Sequence, residues 1–86
     1  MAGATAKLPL ERIARALCIS DGHPPDIRFE GRPMWQSYLP AARAALDAIG
    51  EPTTAMIDAA GSMGFDTDAA RQCWSVMHAA AKMGPT

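Results

Sequence analysis

Two cysteines and two histidines occur at matched spacings in this 86-residue chain, Cys18 with His23 and Cys73 with His78. Such pairs invite a test for metal binding. On a helix, residues five apart lie about 140° apart around the axis, so Cys73 and His78 cannot readily hold one ion. Both cysteines also fall on apolar stripes, where a free thiol behaves as a small hydrophobe. Core thiols are therefore expected, with a disulfide or a zinc ion as the lesser alternatives and no metal or other cofactor assigned. Nucleophilic catalysis fares no better. Ser20, Ser37, Ser62 and Ser75 stand in no recognisable motif, and a nucleophile needs a base and an orienting group beside it. Gly61-Ser62-Met63-Gly64 lacks the lysine and the preceding strand of a phosphate loop. Asp21, Asp26 and Glu30 share one loop and read as turn and cap residues. No catalytic set emerges, so the expected protein is not an enzyme.

The remaining chemistry is recognition. Arg28, Phe29, Arg32, Met34 and Tyr38 cluster around Pro33, and Arg, Tyr, Trp and Met are enriched where proteins meet. Trp35 and Phe29 are themselves expected to fill the core, and Arg32, Met34 and Tyr38 lie on other sides of the helix, so they cannot all be buried with those two. These five residues form the expected protein-binding site. A rival reading assembles Arg12, Arg15, Arg28, Arg32 and Arg43 into one basic face of a small DNA-binding regulator. A helix-turn-helix reader, however, needs a recognition helix with several polar side chains that reach bases. The helix containing Gln36 is mostly alanine beyond it, and the last helix offers only Arg71, Gln72 and Ser75. The formal net charge of -1 also argues against a chain that works mainly through phosphate contacts.

Positioning those residues falls to helices. Hydrophobic residues make up 49% of the chain, but much of that is alanine, and Val76 is the single valine. Strands draw on β-branched and aromatic residues, whereas Ala, Met, Leu, Arg and Gln favour helices. The composition predicts an all-α domain over residues 1–86, with one core because the chain is short. No run is long enough to cross a membrane. Nor does a charged-then-apolar leader open the sequence, so a reducing cytoplasm is the expected setting.

Residues 1–8 are expected to be flexible. Leu10, Ile13, Ala14, Leu17 and Cys18 then mark one face of a helix over 9–20, with Gly22 as its stop. Residues 22–32 form an irregular loop containing Pro24 and Pro25. Ile27 and Phe29 alternate about Arg28, an arrangement that would clamp the loop over the core; a free binding loop is the second reading. Trp35, Leu39, Ala42, Leu46 and Ile49 trace an apolar seam through 33–49, where Pro40 predicts a kink or a break. A weak third helix begins at Pro52. The fourth is capped by Asp66 or Thr67 and buries Ala70, Cys73, Trp74, Met77 and Ala81. Its wet face carries Arg71, Ser75, His78 and Lys82, and Gly84-Pro85 ends it. The result is a four-helix bundle of two helical hairpins. Trp35 with Ala41, Ala42 and Arg43 is echoed at the same offsets by Trp74 with Ala80, Ala81 and Lys82. Residues 1–43 carry a net +2 and residues 44–86 a net -3; at these small totals the asymmetry reads first as ordinary surface scatter, with head-to-tail self-association or an electrostatically oriented partner as the lesser reading.

With these segments in view, a resemblance emerges. ERIARALC (Glu11 to Cys18), GHPPD, PMWQSYLPAARAALDAI (Pro33 to Ile49) and EPTTAM (Glu51 to Met56), followed by a late Trp and Met helix, resemble small uncharacterised proteins encoded in bacteriophages and prophages of proteobacteria. The similarity covers residues 11–60 and Trp74 to Ala81, and brings no assigned functional residue with it. It implies an accessory protein of the bacterial cytoplasm that associates stoichiometrically with a host or phage protein, a defence system being one such target. Self-association is a further expectation, nucleic acid is the lesser partner, and no membrane is involved.

Overall fold

The computed structural model describes residues 7–83, so the expectations for residues 1–6 and for Gly84-Pro85 lie outside the described residues. Helix α1 spans Pro9–Ser20, with proline in the first turn, where its missing N–H costs nothing. Its end is a Schellman motif. Gly22 takes a φ of 86°, its N–H donates to the Ile19 carbonyl at 2.9 Å, and the His23 N–H donates to that of Cys18 at 3.1 Å. Leu10, Ala14 and Cys18, four residues apart, are fully buried and give α1 one continuous inward edge.

The loop after α1 is more regular than its prolines suggest. Strands β1 (Arg28–Phe29) and β2 (Arg32–Pro33) pair antiparallel, with Phe29 opposite Arg32. Between them Glu30 and Gly31 both adopt positive φ, 52° and 80°, the requirement of the two-residue turn that matches strand twist. Ile27 and Phe29 do not clamp the core: they are 45% and 46% exposed. The clamp is instead backbone hydrogen bonding, from Met34 N–H to the Ile27 carbonyl (2.8 Å) and from Trp35 N–H to that of Pro25 (3.1 Å). With the strand bonds tying the chain down, the side chains of the loop are left outside.

The expected second helix is two elements. Met34–Tyr38 is a 3₁₀ helix and α2 runs over Leu39–Asp47, with Pro40 in its first turn. Proline cannot donate to the preceding turn but suits a helix start. It therefore divides the segment where an interior position would have kinked it. Trp35, Ala42 and Leu46 from this seam are buried against α1. Ile13, Leu17, Met34, Tyr38, Leu39 and, from the last helix, Ala81 pack around that core half-exposed. Ile49, expected to end the seam, lies beyond α2 and is 50% exposed.

Helix α3 covers Thr54–Gly61, starting two residues later than the proline suggested. Thr53 caps it, accepting from Met56 N–H at 3.2 Å, while the Met56 sulfur lies 3.4 Å from the Thr53 nitrogen in the role usually taken by Glu or Gln. Helix α4 covers Thr67–Ala81, capped by Asp66, whose Oδ1 accepts from Ala69 N–H at 2.7 Å. The helices pack in pairs, α1 with the 3₁₀ helix and α2, and α3 with α4. The architecture is all-α with one short hairpin, as the composition predicts.

Helix α4 does not present the expected face. Ala70 is buried and Trp74, His78 and Ala81 are half-buried, whereas Cys73 and Met77 are exposed. The inward face is thus turned by roughly 40° towards His78. The cause is hydrogen bonding. Trp74 Nε1–H donates to the carbonyls of Ile49 and Gly50, each at 3.1 Å, and His78 Nε2 lies 2.8 Å from that of Leu46. These carbonyls lie at and just beyond the C-terminal end of α2, where helical partners run out. Lys82 Nζ adds an ion pair with Asp47 Oδ1 at 2.8 Å, close to the same helix end. The pair holds the Asp47 carboxyl below its ordinary range.

Candidate protein-interaction surfaces

The hairpin is fastened to α1 from both sides. Arg15 Nε meets Glu11 Oε2 at 2.7 Å, and its other arm reaches Asp26 Oδ1 at 2.9 Å. The same guanidinium stacks 5.2 Å from the centre of the Trp35 ring, a favourable cation–π placement. Hydrogen bonds to Glu11 and then Asp26 raise the Arg15 pKa from an already high value, so its charge is permanent. At the other side, Tyr38 O–H donates to Asp21 Oδ2 at 2.8 Å and ties the 3₁₀ helix to the end of α1. That bond, followed by burial, pushes the phenol pKa up. Arg28 donates to the Gly31 carbonyl at 3.0 Å and stiffens the turn itself.

This framework sorts the five residues singled out from sequence. Arg28, Phe29 and Arg32 stand exposed on the hairpin, with Phe29 and Arg32 directly opposite each other across the two strands. Ile27, not singled out, joins them as an exposed apolar side chain at the hairpin's base. Met34 and Tyr38 are half-buried against the core and hold the hairpin in place. What the hairpin offers is an exposed apolar ring with one arginine, Arg32, directly across from it, while Arg28, its neighbour in the strand, falls on the other face and bonds the turn. Its chemical complement is an apolar pocket rimmed by carboxylates.

The arginines grouped for a nucleic-acid face differ in how far they are engaged within the fold. Arg15 is taken up by two carboxylates and an indole, whereas Arg12, Arg28, Arg32 and Arg43 are exposed. The thiols divide as well. Cys18 is fully buried, its Sγ 3.5 Å from the His23 carbonyl, and burial followed by the charges of Asp21 and Asp26 raises its pKa. A raised pKa keeps it a thiol rather than a nucleophile. Cys73, expected in the core, is exposed and lies 3.8 Å from the Met77 sulfur. Among the described residues no group of three or more His, Cys, Asp or Glu side chains is placed to hold a metal ion. None of the described helices is long and apolar enough to cross a membrane.

A second surface was not anticipated. Between α3 and α4 lies an open groove of about 190 Å³, lined by residues including Met56, Ile57, Phe65, Cys73, Trp74 and Met77. Within this helix pair Ala70 is the only buried apolar residue among those described. Val76 and Met77 next to each other were the available signal, because two adjacent large residues cannot both lie on one narrow inward stripe. No protein-family model, no curated protein and no solved structure matches this chain.

Proposed function

We propose that this chain is a non-enzymatic protein-binding module that acts by stoichiometric association, with the β1–β2 hairpin as its contact point. The observation that carries the reading is Phe29: a large aromatic ring 46% exposed, on a tight turn braced by Tyr38–Asp21 and Arg15–Asp26. An exposed aromatic on a braced turn, with Arg32 across from it, loses little freedom on binding, the property of an interface anchor. The sequence resemblance supports a bacterial cytoplasmic setting and a host or phage protein as the partner. A binding role is favoured over a catalytic one because burial raises the pKa of the Cys18 thiol and the His78 ring is engaged with the Leu46 carbonyl.

The test is capture from a host-cell lysate with the full chain and with a Phe29→Ala/Arg32→Ala variant, beside a DNA-retention assay at two salt concentrations. A protein retained by the wild type at near-equal stoichiometry and lost at least roughly 30-fold by the variant supports the reading. Identical capture by both proteins refutes the hairpin as the site. Salt-sensitive DNA retention without a protein partner refutes the function itself and favours the regulator reading.

A further inference from the structure

We propose that the groove between α3 and α4 binds a soft monovalent metal ion, Cu(I), through the Cys73 thiolate and the thioethers of Met77 and Met56. Cys73 and Met77 are four residues apart on α4, so their sulfurs leave the same side of the helix. The Cys73 thiol donates a weak hydrogen bond to the Met77 sulfur at 3.8 Å, which puts its proton where a metal ion would sit. With metal–sulfur bonds of about 2.3 Å, that 3.8 Å separation corresponds to an angle of roughly 110° at a shared ion. An angle so far from linear leaves the ion open to a further ligand. Met56 on α3 lines the same groove. Its sulfur meets the Thr53 N–H at 3.4 Å and keeps a second lone pair, on a side chain with three rotatable bonds. Cys73 and His78, five apart, form no such pair, because His78 is turned to the Leu46 carbonyl.

The donor set and its setting select the metal. Thiolate and thioether are soft ligands that favour Cu(I), whereas magnesium and calcium take oxygen ligands. The groove walls are otherwise apolar, Ile57, Phe65 and Trp74 among them, and among the described residues no carboxylate or imidazole lines them. On entry Cu(I) displaces the Cys73 proton to solvent, and the thiolate–Cu(I) unit that forms is neutral. No electron moves, since the ion arrives and stays as Cu(I). Zn²⁺ on the same three sulfurs would keep one positive charge against an apolar wall, which is costly. Access is direct, because Cys73 is exposed and Met77 is 62% exposed. Cys18 does not compete, being fully buried in the core around α1. A bound ion would also tie α3 to α4, whose junction buries only Ala70 among the described residues.

The site is independent of the hairpin reading, and either can fail without the other. Titration of the full chain with Cu(I) under nitrogen, against bicinchoninate as the competing chelator, tests it. The wild type is expected to take one ion per chain and to release one proton. Cys73→Ser should abolish that uptake, and Met77→Leu and Met56→Leu should each weaken it at least about 10-fold, while Phe29→Ala leaves it unchanged. Absence of uptake overturns the proposal, as does uptake that survives Cys73→Ser. Equal affinity in both methionine variants also overturns it, because Cu(I) would then be held by an exposed thiol alone. X-ray absorption of the loaded wild type keeps the question open to refutation even if a variant misfolds. Three sulfur neighbours at about 2.3 Å are expected, and nitrogen or oxygen neighbours in their place, or one ion shared between two chains, would sink the site.

Discussion

Trp74 and Met77 sit less than one turn apart on α4 but are expected to differ sharply in what they contribute to stability. Trp74→Phe removes one N–H that two carbonyls share, at 3.1 Å each. Both carbonyls lie near solvent and can recruit water, so the net loss is that of about one ordinary hydrogen bond, ~0.5–1.5 kcal/mol. The smaller ring also gives up on the order of 40 Å² of contact, or about 1 kcal/mol at 25 cal/mol per Å². Together these predict about 1.5–2.5 kcal/mol and, for a domain of this size, a melting temperature lower by roughly 6–20 °C. Met77→Ala, at a side chain 62% exposed, is expected to change stability by no more than about 0.5 kcal/mol.

The contrast matters because an apolar-stripe reading of α4 gives the opposite ranking. With Met77 facing inward, its truncation would cost about 2–5 kcal/mol. The assay is urea unfolding followed by tryptophan fluorescence, since Trp35 remains as a reporter in the Trp74→Phe variant. All variants are compared at one low protein concentration, because any binding between copies would add its own stability. A Met77→Ala cost equal to or above that of Trp74→Phe would refute the orientation of α4. A negligible effect of Trp74→Phe would remove the carbonyl contacts as its cause.

Two further outcomes are expected. Tyr38 is the only tyrosine in the chain, so ultraviolet absorbance of the phenolate follows it alone; its midpoint should lie above the ordinary value of about 10 and fall back in Asp21→Asn. The neutral phenol is the bonded form, so the stability this contact contributes is present below pH 10 or so and is lost as pH rises through the elevated midpoint, which a pH series of unfolding curves will register or contradict. The two thiols should separate in a disulfide-exchange reaction, Cys73 reacting at once and Cys18 only as the protein unfolds; equal rates would show that α1 does not enclose Cys18.

Where a feature rests on neighbours in the chain, the sequence was a good guide. Gly22 after Ser20 and Asp21 marked the end of α1, because a left-handed residue is needed there whatever else the fold does. Asp66 marked the start of α4 for the same local reason, a carboxylate within reach of free N–H groups. Pro40 announced an interruption, although only the structure shows that α2 starts there. The misreadings share a different cause. Periodicity ranks helix faces by apolarity and gives no weight to a donor that meets a distant carbonyl, so the pull of Trp74 and His78 towards α2 was invisible. Ile27 and Phe29 were assigned to the core on the same ground, when backbone hydrogen bonds already hold their loop.

The two exposed surfaces have one physical origin. Much of the chain's apolar content is alanine, which fills little volume, so the interior closes around α1, Trp35 and α2 with few large side chains. The α3–α4 pair is then attached mainly through polar groups at the end of α2 and through Ala81, and its own junction buries only Ala70 among the described residues. Polar attachment at one helix end leaves the opposite face of α4 with its Val and Met side chains in water. A chain that needed these residues only for solubility could carry Lys or Gln there without loss to the monomer, because none of Val76, Met77 or Phe29 is required by the interior. Their exposure costs solubility and contributes nothing to the isolated fold. Covering those side chains restores the balance, and at the hairpin that is the role proposed for a partner protein.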